Sequence, residues 1–417
     1  MPRVRWWRRP PARCWCSTCS HARPRRYLRR VAQQQFLVIG AGIAGLATAV
    51  ALQRRGHDVT VLESRADTSS GAGISIWPNA LAALDDIGLG DAVRDAGGRV
   101  TAGAMRWHDG TWLRRPSKER IVRALGEPLV VIRRSVLNQV LAGALASGTV
   151  QTGATAVNIE MAQSGVRVTL SDSTTRRAAA LIGADGTHSV VARHLNGELR
   201  NRYVGYTAWR GIADVAIHQD FAGETLGAGR ECGHVPLGPD HTYWFATERA
   251  KEGRVASPGE LEYLKTRFGS WAEPMPALLA ATDPSVVLRN DLYDRDEARV
   301  WSQGPIVLVG DAAHPMRPHL GQGGCQGLED AAILAAFVDQ SSDLPTAFAR
   351  FATYRKPRTK ALTRESAMIG RAVNLRPALL SGLASRATVL VPEAVLTRHL
   401  ATVASKSAFR APTSASA

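Results

Sequence analysis

The chain has 417 residues, 45% of them apolar and 21% charged, the values of an ordinary globular protein. They exclude a disordered, collagen-like or disulfide-stapled chain and allow one large or two medium domains. The net charge of +16 is concentrated: residues 1–30 hold ten Arg and no acid, which leaves +6 for the rest, so no nucleic-acid partner is expected of the body.

Residues 1–34 show no apolar periodicity and read as a basic, disordered extension. A start-site miscall, with Val31 as the true initiator, is one explanation of such a segment, and a basic nucleic-acid or membrane arm is the rival reading. Cys14, Cys16, Cys19 and His21 are spaced too tightly for a zinc site, and no metal is expected. Only Cys232 and Cys325 remain, which fits a reducing, cytoplasmic setting. Arg29-Arg30 ahead of the uncharged run Phe36–Leu52 imitates an export signal or anchor. That run carries Gly40, Gly42 and Gly45 and is short for a span, so no membrane span is expected.

In chain order, Gln35–Ile39 reads as a strand, Ile43–Arg55 as a helix and Val59–Glu63 as a second strand. Ser69–Ser75 is Gly/Ser-rich, and a helix is expected from about Asn79 to Gly88. Val136–Ala146 reads as helix and Thr149–Leu181 as short strands with Gly, Asp and Ser turns. Tyr203–Glu248 is strand-rich and aromatic. Pro305–Gly310 is a buried strand, helices follow to about residue 403, and Arg410–Ala417 frays. The expected fold is α/β. A discontinuous Rossmann-like nucleotide-binding domain (35–195 and 295–375) holds an inserted, mostly antiparallel substrate sheet (196–294). A helical C-terminal segment (376–417) follows.

Three glycine motifs carry chemistry. Gly40-Ala41-Gly42-Ile43-Ala44-Gly45 follows a strand and opens a helix, so the backbone can approach a pyrophosphate at a helix N-terminus. Glu63, with Ser64 beside it, ends the second strand eighteen residues beyond Gly45, where a carboxylate accepts ribose hydroxyls. Gly183-Ala184-Asp185-Gly186 and Gly310-Asp311-Ala312-Ala313-His314 each end an apolar strand, where α/β folds bind ligands. The plain alternative for each Asp is a cap on the next turn. Pro318-His319-Leu320-Gly321-Gln322-Gly323-Gly324-Cys325 then leads into a helix whose start suits an anion.

In this order the motifs resemble the single-component FAD-dependent aromatic hydroxylases, the p-hydroxybenzoate hydroxylase-like flavoprotein monooxygenases. The branch is that of salicylate and 3-hydroxybenzoate hydroxylases, urate hydroxylase and zeaxanthin epoxidase. The resemblance spans roughly residues 35–370. It includes Gly73–Ala80, Arg134-Ser135-Val136-Leu137 and Tyr203–Gly211. It implies FAD held by Gly40, Gly42, Ala44, Gly45, Glu63, Ser64, Ser75, Arg134, Asp185, Asp311, Pro318, Gly321, Gln322, Gly323, Gly324 and Cys325. It also implies NAD(P)H as co-substrate, O2, a flavin C4a-hydroperoxide and a small aromatic substrate. The chain departs from the family in having Ala192, followed by Arg193, where the pattern has Arg, which bears on NAD(P)H docking. It departs from the urate branch at Glu231, where an Arg is expected and the adjacent Arg230 could compensate after a local shift, and at Arg210, where an Asn is expected.

On the substrate side, Arg210 could clamp a carboxylate or phenolate, and His234 and Tyr243 could deprotonate a phenol. A surface Arg, a core His and a core Tyr are the plain alternatives. His314 could fix its loop, His319 could face the substrate, and Cys325 could be a small packing residue. Two other readings stand beside the hydroxylase: an epoxidase or reductase of a polyprenoid, and a non-catalytic FAD-binding module. Monomer and homodimer are both open.

Overall fold

The computed structural model describes residues 33–66, 72–101 and 103–412. The readings at Cys14–His21 and Val31, and parts of the Gly/Ser stretch and the frayed terminus, lie outside these residues.

The first sheet has six strands in the order Ser302–Gln303, Ile306–Leu308, Ala180–Gly183, Gln35–Ile39, Asp58–Glu63 and Val150–Thr152. All neighbours are parallel except the first pair. Helices Ile43–Gln53 and Gly323–Gln340 pack against each other over this sheet, and its Val38, Val61, Leu181 and Val307 are fully buried. Burial on both faces explains why these strands are continuous apolar runs and not alternating ones. Strand Gln35–Ile39 matches its expected span, and the helix after it ends two residues early, at Gln53.

The second large sheet has seven strands in the order Leu288–Arg295, Asn201–Ala213, His241–Glu248, Arg230–Leu237, Gly223–Gly227, Ala104–Trp107 and Trp112–Arg114. It is antiparallel except where Gly223–Gly227 meets Ala104–Trp107. Residues 104–114, expected with the nucleotide-binding part, thus extend the substrate sheet. Its outer face is buried under helices Glu260–Phe268 and Met275–Ala280, with Trp209, Trp244 and Cys232 in the core between them.

Two three-stranded antiparallel sheets complete the fold. One joins Gly73–Ile76, Leu129–Arg133 and Gly98–Val100, and the other joins Thr175–Ala178, Gly165–Leu170 and Ala156–Ala162. A 30-residue helix, Leu344–Val373, packs on strands Ser302–Gln303 and Ile306–Leu308 of the first sheet and meets Tyr206 of the second at Gly370, and helices Ala378–Ala387 and Glu393–Ala404 follow. No single helix among the described residues is long and apolar enough to cross a membrane.

Candidate active site

The nucleotide loop is built by close backbone approach. A Cβ on Gly40 (φ +104°) would lie 2.4 Å from Ala184 O, and one on Gly45 would lie 1.9 Å from Gly40 O. Both positions must therefore be glycine. Around Gly42, by contrast, there is open space, the cradle a pyrophosphate requires at this helix start. Ala44 packs against Gly310 and Gly327, where added Cβ atoms would come within 2.7 and 2.9 Å. That contact locks the first loop to the third motif.

Glu63 is buried at the end of its strand. Its Oε2 accepts from Ala41 N at 2.8 Å and its Oε1 from Arg65 N at 2.9 Å, while Ser64 Oγ reaches Oε1 at 3.4 Å. Burial works to raise its pKa, but the Arg65 and Ala41 N–H groups and the Arg65 guanidinium outweigh it, and the carboxyl is held below its usual range. A charged acceptor thus stands at the strand end, ready for ribose hydroxyls.

Asp185 has local work. Ser189 Oγ donates to it at 2.6 Å and Val190 N at 2.6 Å, so it caps helix Val190–Asn196. Burial is the dominant influence and raises its pKa. Asp311 differs: it sits deep in the fold, burial raises its pKa, and its carboxylate is nevertheless open to solvent. Arg134 combines the same features, with burial lowering its pKa and the Asp311 charge opposing. Bare polar groups this deep line an internal cleft.

The last motif adjoins Asp311: a Cβ on Gly323 would lie 3.9 Å from the Asp311 carboxylate. Pro318–Leu320 forms one tight turn, and Gly321 (φ +61°) leads through Gln322 into the helix Gly323–Gln340. The first bond of the helix runs from Gln326 N to Gln322 O, which leaves the N–H groups of Gly323, Gly324 and Cys325 ahead of it. Trp77 Nε1 and Gln322 Nε2 beside this loop are buried without partners. Cys325 is fully buried, its Sγ near Ser75 O and Gly321 O, and burial pushes its thiol up to about 12. Its side chain packs the loop, and only its N–H is available to a ligand.

Two buried arginines, not singled out from the sequence, hold these loops together. Arg295 donates to Thr187 O at 3.3 Å, Asp311 O at 3.1 Å and Ala312 O at 2.9 Å, tying the second motif to the third. Arg355, on the long helix, donates to Glu329 and Asp330 at 2.7 Å each and to Gln326. Asp330 in turn accepts from Gly310 N at 2.8 Å and contacts His314 Nε2 at 2.6 Å, so His314 fixes its loop. Glu329 and Gln322 share Asn79.

The substrate sheet divides its candidates by face. Register pairs Arg210 with Phe245, Ile212 with Tyr243 and Thr247 with Glu231, and these side chains share the inner face. Tyr243 rests on Gly73, where a Cβ would lie 2.5 Å from its Cγ. Burial raises its pKa and the Arg210 charge opposes this. Arg210 also donates to Asn290 at 2.9 Å. His234 corrects the sequence reading: it pairs with Trp244 and so belongs to the outer, helix-covered face. Burial and the Arg106 charge push its pKa down to about 4, and it does not reach the inner face.

The inner face carries a polar chain in place of that histidine. Arg317 approaches Tyr206 OH at 3.5 Å, Tyr206 OH meets His319 Nε2 at 2.7 Å, and His319 Nδ1 meets Glu231 Oε1 at 3.2 Å. Thr247 donates to Glu231 at 3.1 Å. Burial pushes Tyr206 up to about 12, while burial and the Glu231 charge push Glu224 up to about 7.

The nucleotide loop, the open floor at Asp311 and the free N–H groups at Gly323–Cys325 fit FAD, and the comparisons agree. Residues 33–359 match the family described as FAD binding domain. The chain belongs to this family. It is 38% identical to the aurachin C monooxygenase/isomerase of Stigmatella aurantiaca, over 80% of this chain and 88% of that protein. It is 33% identical to the 3-amino-4-hydroxybenzoate 2-monooxygenase of Streptomyces cremeus, over 82% of this chain and 88% of that protein. The Klebsiella pneumoniae HpxO crystal structure complexed with FAD and uric acid aligns with a TM-score of 0.83 and 26% identity, covering 88% of this chain and 96% of that one. The chain is thus an FAD-dependent aromatic hydroxylase by family, with the family's mixed α/β fold and FAD as its cofactor.

Proposed function

We propose that the chain is an FAD monooxygenase that uses NAD(P)H and O2 to hydroxylate an aromatic or other electron-rich small molecule. The observation that carries this reading is one cleft with two chemistries. The family's FAD-binding loops form one wall, and the inner face of the seven-stranded sheet, with Arg210, Tyr243, Tyr206 and Glu231, forms the other.

FAD, when bound, supplies acceptance of a hydride and activation of oxygen. Every other task falls to the chain. Gly42 and the helix after it receive the pyrophosphate, and Glu63 receives the ribose. Asp311 and Arg134 line the floor, where a polyol chain needs an acceptor and a donor. The N–H groups of Gly323, Gly324 and Cys325 offer partial positive charge to an electron-rich ring. Arg193, exposed on its helix and bonded to His188 O at 2.7 Å, is the cation available for NAD(P)H where the family's Arg is replaced by Ala192.

On the substrate side, Arg210 and Tyr243 orient the ring. Tyr206 is hydrogen-bonded to His319, whose Nδ1 lies 3.2 Å from Glu231 Oε1, a series of groups that can take a proton from a phenol or ring N–H and pass it toward the carboxylate. Ile212, Phe245 and Val235 keep the inner face largely apolar, which excludes water around the reacting carbon. The acid at Glu231, where an Arg is expected in the urate branch, supports an aminophenol or phenol over urate. The relative named for 3-amino-4-hydroxybenzoate fits such a substrate.

The test is oxidation of NAD(P)H by the FAD-loaded protein against phenolic acids, aminophenols, aurachin C, urate and polyprenoids. The expected result is stimulation by one aromatic compound together with its hydroxylated product. Stimulation by polyprenoids alone would replace the reading with the epoxidase one.

A further inference from the structure

The helix Ala378–Ala387 is folded inside out. Ser381, Gly382 and Ser385 face the protein, where Ser381 Oγ accepts from Gly229 N at 3.0 Å and Gly382 lies against Trp107. The leucines face outward: Leu379 is 70% exposed and Leu383 57%. The turn after it leaves Leu390 84% exposed, and Val395 on the next helix is exposed as well. The two helical segments meet at 100°, so Leu390 stands at the corner of an apolar ridge. A soluble helix buries its leucines and exposes its serines, and a ridge of this kind marks an interaction surface.

Charge selects the occupant. Residues 366–412 hold six Lys or Arg and a single acid, Glu393, and Glu393 is paired with Arg120 at 2.8 Å. Arg371, Arg376, Arg386 and Arg398 are all exposed. Beside the second helix, Arg120, Arg123 and Arg398 line one cleft with Ala394 and Thr397, a donor set suited to phosphate. A second copy of the chain on the same face would set Arg against Arg, and the two acids beside it, Glu393 and Glu365, are already engaged by Arg120 and His399. Apolar side chains at the corner of two helices, fringed by arginines, are the arrangement that lies in a lipid–water interface.

We propose that residues 375–398 dock this protein on an anionic membrane surface without spanning it. The docked face is the outer side of the helix whose inner side rests on the edge of the substrate sheet, at Trp107 and Gly229. Docking therefore sets that sheet edge against the bilayer.

The experiment is co-sedimentation of the full chain with phosphatidylcholine vesicles, with and without phosphatidylglycerol. Wild type and the double variant Leu379→Glu/Leu383→Glu are compared, with FAD retention as the check on folding. Both leucines are exposed, and neither belongs to the site. The expected result is binding only with phosphatidylglycerol, weakened by salt, and lowered at least about tenfold in the double variant. Arg376→Glu/Arg398→Glu should weaken binding to the same vesicles. Absence of wild-type binding would overturn the proposal. Equal binding by the double variant would also overturn it, since the basic N-terminal residues would then account for the attraction. A wild-type dimer in light scattering that the double variant dissociates would assign the face to a second copy instead.

Discussion

His319 Nδ1 lies 3.2 Å from Glu231 Oε1, and this contact joins the loop before the Gly323–Gln340 helix to the inner face of the substrate sheet. Tyr206 extends it on the other side of the imidazole at 2.7 Å. If this chain carries a substrate proton, Glu231→Gln should shift the pH dependence of kcat/KM while leaving FAD affinity within about twofold, since Glu231 touches no FAD-binding loop except through His319. A lowered but unshifted profile would mark Glu231 as structural.

Gly42 separates the FAD site from the fold. Open space surrounds it, so Gly42→Val should leave the melting temperature of the FAD-free protein nearly unchanged. The same change fills the pyrophosphate cradle and should weaken FAD at least about a hundredfold, or about 2.7 kcal/mol. Gly45→Ala, 1.9 Å from Gly40 O, should instead destabilise the protein itself. Calorimetry and flavin titration separate the two outcomes.

Arg355→Met leaves Glu329 and Asp330 buried without their main cation and should cost about 3–5 kcal/mol. Arg295→Met removes donors from four loop carbonyls, those of Ala312 and Ala313 in buried bonds, and should cost about 2–4 kcal/mol, with faster release of FAD. Urea titration with and without FAD measures both terms. An Arg355→Met protein as stable as wild type would show that the two carboxylates are relieved in another way.

Glu224 gives a pH dependence with a defined sign. Its folded-state pKa, raised to about 7 by burial and the Glu231 charge, lies above its ordinary value of 4.5. The folded state holds this proton longer than the unfolded one. The stability it contributes is full below about pH 4.5 and is lost as pH rises through about 7. Melting curves across this window should fall less steeply for Glu224→Gln than for wild type. Parallel curves would contradict the assignment.

His234 should be dispensable for chemistry. It lies on the outer face with its pKa pushed down to about 4, so it is neutral at the working pH. His234→Asn should leave the pH profile of kcat/KM unchanged even if it lowers the melting temperature. A changed profile would return His234 to the site.

These residues show what sequence can and cannot reveal. Strands Gln35–Ile39 and Ile306–Leu308 were legible because burial on both faces writes an unbroken apolar run. The glycines at 40, 42 and 45 were legible because backbone contact admits nothing larger. Strands Ala104–Trp107 and Trp112–Arg114 were not, because Arg106 and Arg114 break the apolar pattern and the strand that joins this hairpin to the sheet, Gly223–Gly227, lies more than a hundred residues away. His234 and Gly233 differ by one register position, and one position exchanges the faces of a strand. Arg295 and Arg355 look like surface arginines until their buried carbonyl and carboxylate partners are seen.

The central claim is that one cleft holds FAD beside an aromatic substrate and directs oxygen into it. The most direct measurement is NAD(P)H oxidation by the FAD-loaded protein under isotopically heavy O2, with mass analysis of the aromatic product. The account predicts a compound that accelerates oxidation and gains one heavy oxygen atom. A protein that takes up no FAD, or a product whose added oxygen comes from water, would contradict it.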